Sequence, residues 1–164
     1  MDFDVVIELR FPVTPATRQL DEAGAEYTKH LYEYRESGAV AAARQMGVDM
    51  HAVVKTLVME DDAGNPFMVL MHGEKEVSLK ELARTMGARN VETTSRRDAQ
   101  RLTGYTVGGI SPFGARRPLP VYVQSTILGL PYLYINAGRR GFIVGMKPET
   151  LVSLLNPVPV DVAR

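Results

Sequence analysis

The chain has 164 residues, 45% apolar and 23% charged, with 19 basic side chains against 19 acidic ones and a formal net charge of zero. That is enough chain for one globular domain with a real core, and no apolar run approaches the roughly 18 residues of a membrane span. With no cysteine there is no disulfide, no thiolate nucleophile and no Cys-ligated metal.

Residues 1–13 read as an N-terminal extension with a short alternating strand, Val5 to Leu9, and 14–164 as a single domain. Thr14-Pro15 is a helix start, Thr as N-cap and Pro at the first helical position, with the stop at Gly24. Tyr27 to Tyr34 alternates polar and aromatic residues and predicts a strand; Ala39 to Met46 predicts an alanine-rich helix closed by Gly47. The run Ala52 to Met59 and the segment Phe67 to Met71 flank Asp61–Asn65 as a hairpin. Ser78 with Glu81 opens a helix ending near Gly87, and Ser95 caps a basic helix ending at Gly104. Residues 105–118 form a loop; Val121–Val123, Tyr132–Ile135 and Phe142–Val144 follow as strands, and Pro148 starts a last helix to Leu155. Short strands and helices mix without a βαβ rhythm. The predicted class is α+β, a mixed twisted sheet or partly closed barrel with peripheral helices.

The neutral total hides an asymmetry. Residues 1–95 hold 10 Lys/Arg against 16 Asp/Glu, and residues 96–164 hold 9 against 3. Arginine doublets, Arg96-Arg97, Arg116-Arg117 and Arg139-Arg140, supply most of that basic excess, and a guanidinium fork suits phosphate. The acidic start Met1-Asp2-Phe3-Asp4 is unlike a basic secretory leader, so a cytoplasmic protein is expected. His30, His51 and His72 lack the close spacing of a zinc motif, so neither metal nor cofactor is expected.

Lys55 stands alone among apolar neighbours in Ala52 to Met59. An ammonium placed so must reach water, pair with an anion or give up its charge; most such lysines simply face solvent. The second feature is Thr103-Gly104-Tyr105-Thr106-Val107-Gly108-Gly109-Ile110-Ser111-Pro112. Paired glycines let backbone approach a ligand and offer N–H groups as fixed donors. Neither a P-loop nor a G-x-G-x-x-G turn is present.

Four segments together resemble the YbaK/EbsC group of aminoacyl-tRNA editing domains: Thr14-Pro15-Ala16, Lys55-Thr56-Leu57, the loop from Thr103 to Pro112, and Gly138-Arg139-Arg140-Gly141. That group includes Cys-tRNA(Pro) deacylases and relatives of the editing domain inserted in bacterial prolyl-tRNA synthetase. The resemblance spans residues 14–158 and implies a trans-editing hydrolase of mischarged tRNA. Cys-tRNA(Pro) is the leading substrate, Ala or another small residue on tRNA(Pro) the alternative, and prolyl-tRNA synthetase a possible partner. It implies Lys55 as the central catalytic residue. Tyr32, Thr56, Gly108, Gly109, Ile110, Ser111, Pro112 and Asn136 would contact substrate, and Arg116, Arg117, Arg139 and Arg140 would contact tRNA. His30 stays outside the catalytic set. Some Cys-tRNA(Pro) deacylases carry a Ser before the Gly-Gly-Lys-Arg-Gly segment and an Asp after it. Here those positions are Asn136 and Ile143, which opens the question of the amino acid removed.

Deacylation needs a nucleophile and a stabilised oxyanion. No Ser-His-Asp set is visible, so the expected role of Lys55 is to position and polarise, with Gly108 and Gly109 N–H groups as oxyanion donors. Water or the substrate's own thiol would attack. The rival class is a non-catalytic module that binds tRNA, a nucleotide or a synthetase.

Overall fold

The computed structural model describes residues 10–35 and 38–164; the expected strand at Val5–Leu9 lies outside them. Its elements are α1 (Pro15–Glu22), β1 (Thr28–Leu31), α2 (Ala39–Met46), β2 (Val53–Asp61), β3 (Pro66–His72), α3 (Leu79–Met86), β4 (Val91–Thr93), α4 (Arg96–Thr103), β5 (Val121–Gln124), β6 (Leu133–Arg139), β7 (Phe142–Met146), α5 (Pro148–Leu155) and β8 (Val158–Val160). They build one mixed sheet in the order β1-β7-β6-β2-β3-β5-β8, with β4 pairing β2 off that path. Among the described residues the sheet is open, with β1 and β8 at its edges, so the twisted sheet and not the barrel is the form adopted.

Local chemistry sets the helix ends. The Thr14 side chain accepts the Thr17 N–H at 3.1 Å while the Thr17 hydroxyl receives the Thr14 N–H at 2.9 Å, a reciprocal cap worth about 1 kcal/mol. Gly47, Gly87 and Gly104 end α2, α3 and α4 in the left-handed region, where a side chain is strained. Ser78 accepts the Glu81 N–H at 3.3 Å, but the Glu81 carboxylate turns to Arg84 at 3.4 Å.

Alternation along β2 and β3 divides their side chains between two cores. Val54, Val58, Met68 and Leu70 face the larger one, shared with Leu20 of α1, Leu102 of α4 and Leu151 of α5. Met59, Phe67, Val69 and Met71 face α3 through Leu82 and Ala83. On that second face a smaller group, Tyr32, Ala42 and Ile143, seats α2. Burying each large side chain stabilises the fold by roughly 1.5–3 kcal/mol, so the central strands are the rigid frame from which the site is hung.

Candidate active site

β2 begins beside β6 in parallel, with Val53 opposite Tyr134 and Val54 opposite Ile135, and that ladder then stops. β4 takes up the same edge only from Met59. Between them, among the described residues, Lys55 to Leu57 have a strand neighbour on the β3 side alone. The cause lies in β6, whose register shifts between Asn136 and Arg139. Gly138 there adopts φ 94°, and a Cβ on it would stand 2.6 Å from the Tyr105 ring. The Thr14 hydroxyl donates to the Ala137 carbonyl at 2.6 Å, drawing β6 toward α1. Two parallel strands thus part at their carboxyl ends, where open sheets form a crevice.

Lys55 points to the α2 face. It lines a cavity of about 40 Å³ with Tyr32, Ala39, Ala42, Asn136 and Ile143. Small residues make this roof: Ala39 sits so close to Gly73 that a Cβ there would lie 2.9 Å from the Ala39 Cβ. Asn136 and Ile143 are cross-strand partners, so the two departures from the Cys-deacylase pattern lie side by side in one wall. The Asn136 Oδ1 is buried and has no hydrogen-bond partner among the described residues. Among those residues no carboxylate lies within 4.0 Å of the Lys55 ammonium. Burial first, and Tyr34 second, raise the pKa of the Tyr32 phenol, against a lowering contribution from the Gly141 amide; Tyr32 therefore keeps its proton at neutral pH.

Thr56 lies elsewhere. Its side chain leaves the opposite face, toward the larger core, where its Oγ1 is also buried without a partner among the described residues. Lys55 and Thr56 are adjacent in sequence but reach the crevice from the two sides of the sheet.

The glycine-rich loop is fixed by its own side chains. Tyr105 donates its hydroxyl to the Phe113 carbonyl at 2.6 Å, and burial pushes its pKa up to about 12. Ile110 and Phe113 enter the larger core. Ser111 is fully buried, its Oγ accepting the Phe113 N–H at 3.2 Å. Pro112 lines a different cavity of about 520 Å³, with Pro15, Leu119 and Leu154. Ile110, Ser111 and Pro112 thus shape the loop and do not line the Lys55 cavity. What reaches the crevice wall is backbone: a Cβ on Gly109 would stand 2.6 Å from the Arg139 carbonyl carbon, and one on Gly108 2.7 Å from the Tyr34 hydroxyl. The Gly109 N–H already donates to the Thr106 carbonyl at 2.9 Å, whereas the Gly108 N–H has no such partner among the described residues.

Arg140 joins loop and turn. Its Nε donates to the Val107 carbonyl at 2.8 Å, and its guanidinium lies 5.0 Å from the Tyr34 ring centroid. Arg139, Arg116 and Arg117 are exposed. The sequence reading missed Tyr34 and the α2 roof; the signal for the roof was the small-residue run Ala39 to Ala43, which reads only as helix propensity until its partner Gly73 is known.

Two histidines 21 residues apart do meet. His51 and His72 stack at 3.6 Å with planes 8° apart, and their ring nitrogens cluster with Glu74 within 4.8 Å. An ion in the plane of one ring would lie outside the plane of the other, so the stack does not suit shared metal ligation. The His72 Nδ1–H donates to the His51 carbonyl at 2.6 Å, so Nε2 accepts from the Thr126 hydroxyl at 2.6 Å, and His51 faces Glu74 at 2.5 Å. Burial lowers the His72 pKa, helped by His51 and Lys75 and opposed by the His51 carbonyl and Glu74. A lowered folded-state value means that the unfolded chain binds more protons below the ordinary His range near 6.5. Stability is then full above that range and is lost as pH falls through the folded value. Thermal melts from pH 7.5 to 5.5 should show a falling midpoint, by roughly 2–4 °C per kcal/mol; His72→Gln should flatten the slope.

Comparison with known proteins extends these findings. A family model described as an aminoacyl-tRNA editing domain matches residues 36–154. The provisionally named Cys-tRNA(Pro)/Cys-tRNA(Cys) deacylase EbsC of Enterococcus faecalis is 29% identical over 145 residues, spanning 87% of this chain and 88% of that protein. A proline–tRNA ligase of Limosilactobacillus fermentum is 24% identical over 105 residues, 62% of this chain but 18% of the ligase. Among solved structures, a provisionally assigned trans-editing enzyme for prolyl tRNA synthetase superposes with a TM-score of 0.82 at 23% identity, covering 93% of this chain and 99% of that one.

Proposed function

The chain belongs to the aminoacyl-tRNA editing domain family, and we propose that it acts in trans as a deacylase of mischarged tRNA, with residues 14–164 as one editing domain. The observation that carries this reading is Lys55 in a cavity of about 40 Å³. At roughly 10–15 Å³ for each water-sized atom, that is room for about three atoms, enough for the single carbon of an alanyl side chain or the two heavy atoms of a seryl or cysteinyl one, with space left for the α-nitrogen. Cys-tRNA(Pro) is the leading substrate, supported by the likeness to EbsC across 88% of that protein's length. Ala on the same tRNA is the alternative, because Ile143 presents an apolar wall where a carboxylate would favour a more polar group.

In this reading the Lys55 ammonium binds the carbonyl oxygen of the ester and the Gly108 N–H adds a second donor as charge develops there. Water attacks the carbonyl carbon, the bond to the terminal ribose oxygen breaks, that oxygen takes the proton, and the free amino acid leaves. With a cysteinyl substrate its own thiol is a second candidate nucleophile. It would form a thioester ring, release the tRNA with the thiol proton on the ribose oxygen, and then be opened by water. Tyr32 lines the side-chain space. Arg139 and Arg140, both exposed, would contact acceptor-stem phosphates, and so would Arg116-Arg117 at the far end of the same loop. Prolyl-tRNA synthetase is the partner that would supply such substrates, which sets the activity in the cytoplasm.

A deacylation panel tests it: Cys-, Ala- and Ser-tRNA(Pro) beside correctly charged Pro-tRNA(Pro). Rapid loss of one mischarged species with Pro-tRNA(Pro) spared is the expected result. Equal hydrolysis of all four would reject selective editing.

A further inference from the structure

The cavity beside Lys55 has a polarity that orients what enters it. Among its described lining residues Lys55 is a donor only, and Gly38, Ala39, Ala42, Val53, Val54 and Ile143 offer no polar side chain. Tyr32 and Asn136 remain, and Asn136 is the one with a buried acceptor, Oδ1, that no donor meets among the described residues. Such an orphan costs about 1–3 kcal/mol in a folded chain, so its retention calls for a donor that arrives from outside. An aminoacyl ester brings one acceptor, its carbonyl oxygen, and one cationic donor, its α-ammonium. The ammonium cannot sit against Lys55 without like-charge repulsion. The carbonyl cannot serve Asn136 Oδ1, which is itself an acceptor.

We infer that the Asn136 amide oxygen takes the α-ammonium of the aminoacyl group, so that the site selects aminoacyl esters with a free amine over N-acylated ones. This rests on the deacylase reading for its substrate, and it makes a claim that reading does not: formyl-, acetyl- and peptidyl-esters are excluded by their missing cation. The register supports it. Asn136 and Lys55 lie on one sheet face, on strands paired in parallel one residue earlier, and Ile143 opposite Asn136 leaves the amide as the polar end of that wall. Tyr32, kept protonated by burial, is left to meet the side chain. The neutral acceptor also explains how the pocket works without a carboxylate on this wall.

The test separates recognition from turnover. The probes are 3′-deoxy-3′-(L-alanylamino)adenosine, whose amide replaces the ester, and its N-acetyl derivative, each titrated by calorimetry into wild type, Asn136→Leu and Asn136→Asp. Wild type should prefer the free amine by about tenfold or more, the worth of one hydrogen bond to a charged group. Asn136→Leu should bind both alike, and Asn136→Asp should keep or increase the preference, which guards against a Leu variant that folds poorly. Equal binding of the two probes by wild type, binding of neither, or a preference that survives in Asn136→Leu overturns the inference. Hydrolysis of the ester is measured separately. Turnover without amine preference removes this inference alone, and amine preference without turnover removes the deacylase reading alone.

Discussion

Lys55→Ala lowers deacylation of a mischarged tRNA by about 10²- to 10³-fold, the usual cost of deleting one preorganised oxyanion donor. Its thermal midpoint stays near that of wild type. The two halves of this expectation have separate causes. Lys55 shares its small cavity with Asn136 and Tyr32 and has no carboxylate partner among the described residues, so its charge is free for a ligand and its removal breaks no ion pair there. β2 is held through the β3 pairing, which runs from Val54 to Glu60 and does not depend on the lysine side chain. Lys55→Arg should fail to restore the rate, because a planar fork does not fit about 40 Å³ of space. Single-turnover assays with circular dichroism melts check all three statements. A Lys55→Ala protein that melts early and loses activity in proportion would assign the residue to stability instead.

Gly109→Ala acts by another route and should also be severe. The φ of Gly109 is not in the left-handed region, so the glycine is needed for space alone: the added Cβ would stand 2.6 Å from the Arg139 carbonyl carbon and 2.7 Å from the Arg140 nitrogen. Both neighbours are backbone and cannot rotate away. Either the loop or the β6–β7 turn must move, at about 1–3 kcal/mol of overpacking, and the Arg140 bond to Val107 and its contact with Tyr34 are strained with it. A displacement near 1 Å at a catalytic wall costs about 100-fold in rate. The expected result is a lower melting midpoint and a kcat reduced more than KM is raised. Gly129→Ala, which meets open space within 4 Å, is the control and should leave both unchanged.

Most of the helices and the central hairpin were legible because their signals are local. Thr14-Pro15, Ser78 and Ser95 start helices and Gly47, Gly87 and Gly104 end them within one turn of chain. The strands that were missed have no such signal. β4 is three residues long and exists only against the tail of β2. β8 reads as Val158-Pro159-Val160, and its proline is tolerated because, among the described residues, β8 is an edge strand paired to β5 alone. The predicted strand Tyr27–Tyr34 shrinks to Thr28–Leu31, although the Tyr32 N–H still bonds to the Gly141 carbonyl at 2.9 Å. At the site, Lys55 could be singled out from its charge in an apolar run, and the glycines from their density. That Lys55 and Thr56 serve opposite faces follows from a period of two. The parting of β2 from β6, the approach of α2 to Gly73 and the stack of His51 on His72 join segments 20 to 80 residues apart, and no pattern along the chain announces them.

The central claim is that this chain destroys the ester it binds. The most direct measurement is the lifetime of the aminoacyl bond of Cys-tRNA(Pro) and Ala-tRNA(Pro) in the presence of stoichiometric protein, wild type and Lys55→Ala, against the spontaneous rate. The account predicts a lifetime shortened many-fold by wild type for at least one of the two and unchanged or lengthened by Lys55→Ala. A lifetime lengthened by wild type itself would contradict it, and would make the cavity a binding site that shields the ester.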